Sequence, residues 1–428
     1  MGAHTILPDI PDDVLKQMFQ FLPTKAAICV SCLSKHWQGV PISDFDEGGK
    51  HDDYNFDEHR KFINMLKFQL VLCEKEKQRQ TTWDKFRLRM TRYSARDATI
   101  VYKWLKFSFE RSVKELDLSL RGSRVQNYYY LCRTSFINAK SLTILNLESV
   151  RIKIIMDIDN GEEYYEQRPE SLLLPSLKTM SLKDVQFDSD ALISLVWDCP
   201  LLEYLTLTSC RFDWDDIVIA SKSLKSLELK HCETYQVHLY ADNLEHLTVF
   251  SSTSSLDNMY LERCFNLKYM NICDPHLYHL SVQGCHDVNG TIDAPRLHSF
   301  IFRGHLKSKF SFRAPNLRAA YIILLDKWGG ELSTFNNGEL KYFLQAFGSS
   351  TGMILYVYDF SDLIFSEEFR KSCSSPILPN LQNLKLLMRN PPTNFGDDED
   401  LMESLHWMAP SLEDITTQHF INSQTVGS

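Results

Sequence analysis

The sequence predicts an α/β chain in which a short N-terminal helical module precedes a long solenoid of stacked repeats. Three observations point that way. A chain of 428 residues with 44% hydrophobic and 24% charged composition exceeds the usual size of one core unless it is built from repeats. Residues 10–37 carry apolar side chains at helical spacing, interrupted by proline. From residue 139 onward one short leucine-rich unit recurs.

The N-terminal run reads IPDDVLKQMFQFLPTKAAICVSCLSKHW from Ile10 to Trp37. Pro11 and the two acids after it open a helix at its positive end, and Val14, Leu15, Met18, Phe19 and Leu22 share one stripe. Pro23 disfavours a helical residue before it, so the first helix is expected to stop near Leu22 and a second to begin around Thr24. There Ala27, Ile28, Cys32 and Leu33 continue the apolar face. A module of roughly forty residues cannot form a self-sufficient core, so a partner or the rest of the chain is expected to cover part of this surface. The same hairpin would also serve as a polar-faced cap on a repeat array. Cys29 and Cys32 sit inside the second helix with no preceding strand and no second such pair, which favours two small buried thiols over a metal or redox site.

Residues 44–60, DFDEGGKHDDYNFDEHR, show no periodicity and many acids, and read as a solvated linker whose order of acids does not fit a calcium loop. A helical pattern returns from Lys61 to about Leu72. DKFRLRM alternates like a strand, and Trp104 sits in a further helix ahead of Val113–Leu118.

The repeating unit introduces a strand of the form LxxLxL. It occurs as AKSLTILNL at 139, LPSLKTMSL at 174, CPLLEYLTL at 199, SKSLKSLEL at 221, ADNLEHLTV at 241, CFNLKYMNI at 264, APRLHSFIF at 294, APNLRAAYI at 314 and LPNLQNLKL at 378, with a weaker APSLEDI at 409. Pairs such as Leu205 and Leu207, or Leu227 and Leu229, are two apart and face one side of a strand. No unit can bury that face alone, so stacking predicts a horseshoe with parallel strands along its concave side. Leu224 and Leu244, like Leu297 and Leu317, are 20 residues apart. That leaves little room for helices, and the alternating segments YQVHLYA and KFSFRA are expected as short strands or turns on the convex side. The acidic DIDNGEEYYEQ is expected as an exposed loop. Beyond Asp326 the stretch around KYFLQAFGSSTGMILYVYDF is either a divergent repeat or a cap. The expected organisation is a helical module over 5–45, a linker and helical segment over 46–112, repeats over 113–325, divergent repeats or a cap over 326–420, and a flexible tail over 421–428.

A formal charge of −9 and a pI near 5.9 offer no electrostatic footprint for nucleic acid. No run approaches the ~20 apolar residues of a membrane span, and the first residues carry no apolar signal segment. Eleven cysteines, an odd number spread along the chain, read as reduced thiols of the nucleus or cytoplasm. Cys273, His276, His279, Cys285 and His286 have ligand-like types, but His279 is expected to face outward. Cys273 and Cys285 are read at the same after-strand place as Cys210 and Cys232, as packing residues. No nucleophile elbow, phosphate loop or HExxH is present, so no catalytic residue, metal or cofactor is expected. Phe250, Tyr269, Ile301, Arg303, Tyr321 and Ile323 are expected on the concave face as a candidate binding surface, since aromatic residues and arginine carry much of the energy of protein interfaces. Strand packing alone also favours such residues.

The N-terminal run resembles the F-box, whose plant members carry a stretch much like LPDDVLxxILSFLPTKxAVxTSVLSKRW. It departs from that pattern with Ile10 for leucine and His36 for arginine. The order of FDE, an apolar helix, DKFRLRM and VYKWLKFSFERSVKELDL is similar to the segment that joins the F-box to leucine-rich repeats in plant F-box/LRR proteins. The resemblance implies a three-helix F-box that places Ile10, Pro11, Leu15, Leu22, Pro23, Leu33 and Trp37 around a groove of a Skp-type adaptor. The adaptor would bring a cullin and a RING protein, and the repeats would hold an unknown target for ubiquitination. The chain itself would then be non-catalytic. Two alternatives remain open: a scaffold of the same fold outside any ligase, and a receptor whose basic pocket takes a small molecule.

Overall fold

Core and outward residues alternate along nearly every strand of the chain. In the computed structural model the described residues are 10, 11, 14, 18, 22, 26, 30, 42–48, 56–75, 83–122, 128–136, 138–153, 158–159, 162–163, 173–188, 190–213, 216–252, 256–285, 287–325, 336–390 and 398–419. The chain folds as two compact units, 1–202 and 203–428, so the division falls inside the stretch expected to be one array.

In the first unit the strands Asp44–Asp46, Lys85–Tyr93, Glu115–Gly122, Ile144–Glu148 and Thr179–Lys183 run parallel, each paired to the next. Helix Ala98–Glu110 connects the second strand to the third, and Trp104 is fully buried on it. Its indole packs on Phe45 at 4.8 Å, Phe86 at 5.6 Å and Phe107 at 5.9 Å. This aromatic cluster corrects one expectation. The DFD of the supposed linker is the first strand of the sheet, with Phe45 completely buried and its register set by Asp44 opposite Arg87. Three residues are too few for alternation to register as a period, and burial of the ring comes from tertiary packing. Helix Phe56–Lys75 follows, buried through Phe62, Ile63, Leu66, Leu70 and Cys73. The acidic stretch expected as a loop carries a two-residue antiparallel ladder, Ile158–Asp159 with Glu162–Glu163.

The second unit opens with coils that each contribute one strand to two sheets. The first sheet takes Tyr204–Thr208, Ser226–Lys230, His246–Phe250, Tyr269–Cys273, Asn289–Asp293 and Lys309–Arg313, all parallel. The second takes Asp216–Ala220, Gln236–Tyr240, Asn258–Glu262, His279–Cys285, Ser299–His305 and Ala319–Leu325. A shared core lies between them, as the contacts of Phe300 with Phe310 and Phe312 at 5.5 and 5.1 Å show. After Leu325, among the described residues, strands are added to the second sheet alone, through Gly352–Asp359, Asn383–Asn390 and Asp414–His419. Helices Asn337–Gln345, Glu367–Ser372 and Glu399–Met408 alternate with those strands. Among the described residues after Asp326, strands and helices therefore alternate, with every long strand on the second sheet.

Within the second unit the recurring LxxLxL motif marks a turn and not a sheet. The copies at 199, 221, 241 and 264 lead into first-sheet strands, whereas those at 294, 314, 378 and 409 lead into second-sheet strands. KFSFR likewise belongs to the first sheet, whereas the similarly alternating YQVHLYA belongs to the second. The physical cause is an exchange of corners. A left-handed residue followed by a buried cysteine ends the first-sheet strands at Ser209–Cys210 and His231–Cys232, and ends second-sheet strands at Arg263–Cys264 and Gly284–Cys285. The broader leucine turn moves to the opposite corner, from Leu224, Leu244 and Leu267 to Leu277, Leu297 and Leu317, all buried.

Candidate functional site

Two parts of the chain can engage partners: the N-terminal module and the outward faces of the sheets. In the module the amide of Val14 donates to the carbonyl of Pro11 at 3.0 Å, and Val14 and Met18 are helical. Val14 is 45% and Met18 41% exposed, an apolar pair left open to solvent. Of the predicted anchors, Ile10 and Leu22 are half-buried and Pro11 is exposed. Leu15, Pro23, Leu33 and Trp37 lie outside the described residues, as do Cys29 and Cys32. Val14 and Met18 were legible as part of the apolar stripe, but not as its exposed members.

A charged cluster holds the segment just after the module. Glu47, whose side chain is 1% exposed, accepts from the amides of Thr91 and Arg92 at 2.7 and 3.1 Å and from the Arg92 guanidinium at 3.2 Å. His59 bridges Glu47 at 2.9 Å and Asp97 at 3.1 Å. The hydrogen bonds to Asp97 and Glu47 outweigh burial and raise His59 to about 9. Burial would raise Glu47 and Asp97, but the His59 bond and the neighbouring backbone amides hold both below the usual carboxylate range.

On the outward face of the first unit's sheet, charges pair from strand to strand. Arg87 meets Asp44 at 2.6 Å, Arg89 meets Asp117 at 2.8 Å, and Lys85 meets Glu115. Glu148 accepts from Ser119 and Arg121 at 2.7 Å and from Lys183 at 2.9 Å. Burial would raise Glu148, yet these donors prevail and hold it at about 2.

The six predicted surface residues do not line one face. Phe250 and Tyr269, 43% and 55% exposed, belong to the first sheet of the second unit. Ile301, Arg303, Tyr321 and Ile323 belong to the second. There they form a block, since Ile301 pairs in register with Tyr321 and Arg303 with Ile323. Burial pushes the Tyr321 hydroxyl up. The misplacement follows from the corner exchange, because equal positions after the leucine motif fall on different sheets.

The first sheet of the second unit carries an open groove of about 560 Å³. Its floor is a row of side chains at matching register, Thr248, Asn271, Thr291 and Ser311. Along one wall His246 stacks on Tyr269 at 5.2 Å, and Asn289 and Lys309 continue the row. Gly290 sits between, because a Cβ there would lie 2.7 Å from the Phe310 ring. The proposed ligand-like cluster is not brought together: Cys273 ends a first-sheet strand, while His279 and Cys285 are on the second sheet. Cys285 matches Cys264 in its corner, not Cys273, and His286 lies outside the described residues. Among the described residues no group of three or more His, Cys, Asp or Glu could hold a metal ion.

Comparison with known proteins agrees with this architecture. Residues 7–40 match the F-box domain, and residues 101–291 match the LRR repeats of FBD-associated F-box protein At5g56370. In both stretches the chain is similar to plant F-box/leucine-rich-repeat proteins. Among its relatives is the putative F-box/FBD/LRR-repeat protein At3g59240 of Arabidopsis thaliana, 30% identical over 241 residues that make up 54% of this chain and 43% of that protein. Another is the Arabidopsis thaliana F-box/FBD/LRR-repeat protein At2g26030, 27% identical over 295 residues, 61% of this chain and 59% of the relative. The chain spans about half the length of the curated relatives it matches. F-box domains in general bind Skp-type adaptors, which accords with an exposed apolar pair on the module.

Proposed function

We propose that this F-box/LRR chain is the substrate-recognition subunit of an SCF-type ubiquitin ligase, acting in the nucleus or cytoplasm. The F-box docks on a Skp-type adaptor through Ile10, Pro11, Leu15, Leu22, Pro23, Leu33 and Trp37, with Val14 and Met18 adding to the apolar face. Through the adaptor come a cullin and a RING protein, and the repeats hold the target. The chain is non-catalytic in this reading. It raises the effective concentration of target lysines around a ubiquitin thioester carried by a partner. The observation that carries the proposal is the F-box match at residues 7–40, with Val14 and Met18 exposed on its helix.

The test is a pull-down of the full chain with a purified Skp-type adaptor, comparing the wild type with Leu15→Asp combined with Leu22→Asp. Capture by the wild type and its loss in the double variant is the expected result, because helix-in-groove docking rests on a few apolar anchors. A folded wild-type chain that fails to bind would replace the ligase reading with a bridging scaffold of the same fold.

A further inference from the structure

Taking the repeats as the target-holding part, as the reading above does, we infer that the groove on the first sheet of the second unit docks an extended segment of the target polypeptide carrying one carboxylate beside Lys309. The segment would lie across strands His246–Phe250, Tyr269–Cys273, Asn289–Asp293 and Lys309–Arg313.

Length is the first argument. Adjacent strands are about 4.8 Å apart, so crossing from the first of these strands to the last covers about 14 Å, the reach of roughly four extended residues. An extended backbone presents one donor and one acceptor per residue, and each must find a partner when docking removes water. The floor row supplies them. Threonine, serine and asparagine side chains each donate and accept. Among the described residues, none of Thr248, Asn271, Thr291 and Ser311 spends its side chain on another protein group. Tyr269, held against the His246 ring, offers a rigid platform for a planar or apolar side chain of the segment.

Charge supplies the second argument. The chain has 55 acidic against 46 basic residues, yet no carboxylate lines the groove. Neighbouring cations of the second unit are matched: Lys225 to Glu203 at 2.8 Å, Lys230 to Glu228 at 2.6 Å, Lys268 to Glu245 at 2.7 Å and Arg313 to Asp293 at 3.1 Å. Lys309 has no such partner among the described residues. One unmatched ammonium beside neutral donors and acceptors fits a segment with a single carboxylate there. A polyanion would meet too little positive charge.

An immobilised library of fully randomised octapeptides, screened with the full chain in the absence of adaptor, tests this. The wild type is expected to select peptides with Asp or Glu fixed at one position. Lys309→Glu is expected to weaken the selected peptides by about tenfold or more and to select Lys or Arg at that position instead. Lys385→Glu, on the second sheet, serves as a control and should leave selection unchanged, with thermal unfolding confirming that both variants fold. Selection without regard to acids, no selection above background, or equal peptide binding by Lys309→Glu would overturn the inference. Because adaptor is omitted, failure of the ligase reading would appear in the pull-down and not in this screen.

Discussion

In the first unit the outward face of the sheet is a ladder of ion pairs, from Asp44–Arg87 through Arg89–Asp117 to the three donors on Glu148. In the second unit the floor positions of the first sheet carry Thr248, Asn271, Thr291 and Ser311, and their side chains engage nothing among the described residues. Both faces are parallel strands with the same alternation, so the backbone does not account for the contrast. Side-chain chemistry does. A face whose charges are answered by neighbouring strands is closed electrostatically and helps to fix the fold. Positions whose donors and acceptors engage no other protein group can take up a ligand at little cost to the fold, even where charges elsewhere on the same sheet are paired.

The comparison is broken most severely at the charged cluster that follows the first strand of the first unit. His59→Gln removes the cation between two nearly buried carboxylates, and loss of one partner of such a pair is expected to destabilise the first unit by about 3 kcal/mol. The pH dependence carries a definite sign. The folded pKa of His59 is raised to about 9, so its contribution is complete below the unfolded value of about 6.5 and is lost as pH rises through 9. Glu47 and Asp97 are lowered, so theirs is present above the usual carboxylate range and is lost on acidification. Unfolding midpoints of the wild type should therefore fall between pH 6.5 and 9, and the fall should flatten in His59→Gln. An unchanged slope in the variant would show that His59 is not the titrating group.

Glu148 gives a smaller and more direct comparison, because it stands on the outward face itself. Glu148→Ala leaves Arg121 and Lys183 side by side without their shared acceptor and is expected to cost about 1–2 kcal/mol in urea unfolding, more than an isolated surface ion pair. A loss below about 0.5 kcal/mol would mean that the ladder is decoration and that the two faces do not differ in kind.

How much of this could be read from the sequence depends on the range of the interaction. The F-box run is local, with its prolines and apolar stripe set within thirty residues, and its match at 7–40 follows the same residues. Strand alternation is local as well, so Leu205 with Leu207 and Leu227 with Leu229 were legible as core pairs, and each is buried. The choice of sheet was not legible. It depends on which corner takes the left-handed residue, and Ser209, His231 and Arg263 carry no glycine to announce a positive φ. The DFD strand was hidden because Phe45 is buried by Trp104, nearly sixty residues away, and not by any pattern of its own. The groove was hidden for a related reason. Whether a threonine or a lysine is engaged depends on its cross-strand neighbours some twenty residues distant, as the pairing of Lys268 with Glu245 and the lack of a partner for Lys309 among the described residues illustrate.

The smallest expected effect on stability is the most informative about the second unit. Asn271→Ala combined with Thr291→Ala removes two adjacent floor groups whose side chains engage no other group among the described residues, so the unfolding free energy should change by less than about 0.5 kcal/mol. Peptide binding should respond differently. Two backbone groups of a docked segment would lose their partners, and each unsatisfied group is expected to cost about 1–3 kcal/mol, enough to weaken a selected peptide at least tenfold while leaving its preferred acid in place. Fluorescence anisotropy with one selected peptide, read beside thermal unfolding of the same samples, separates the two quantities. A double variant that unfolds early would place the floor among the elements that hold the fold, as Glu148 is in the first unit. One that is stable and binds normally would leave the contrast between the faces without a functional consequence.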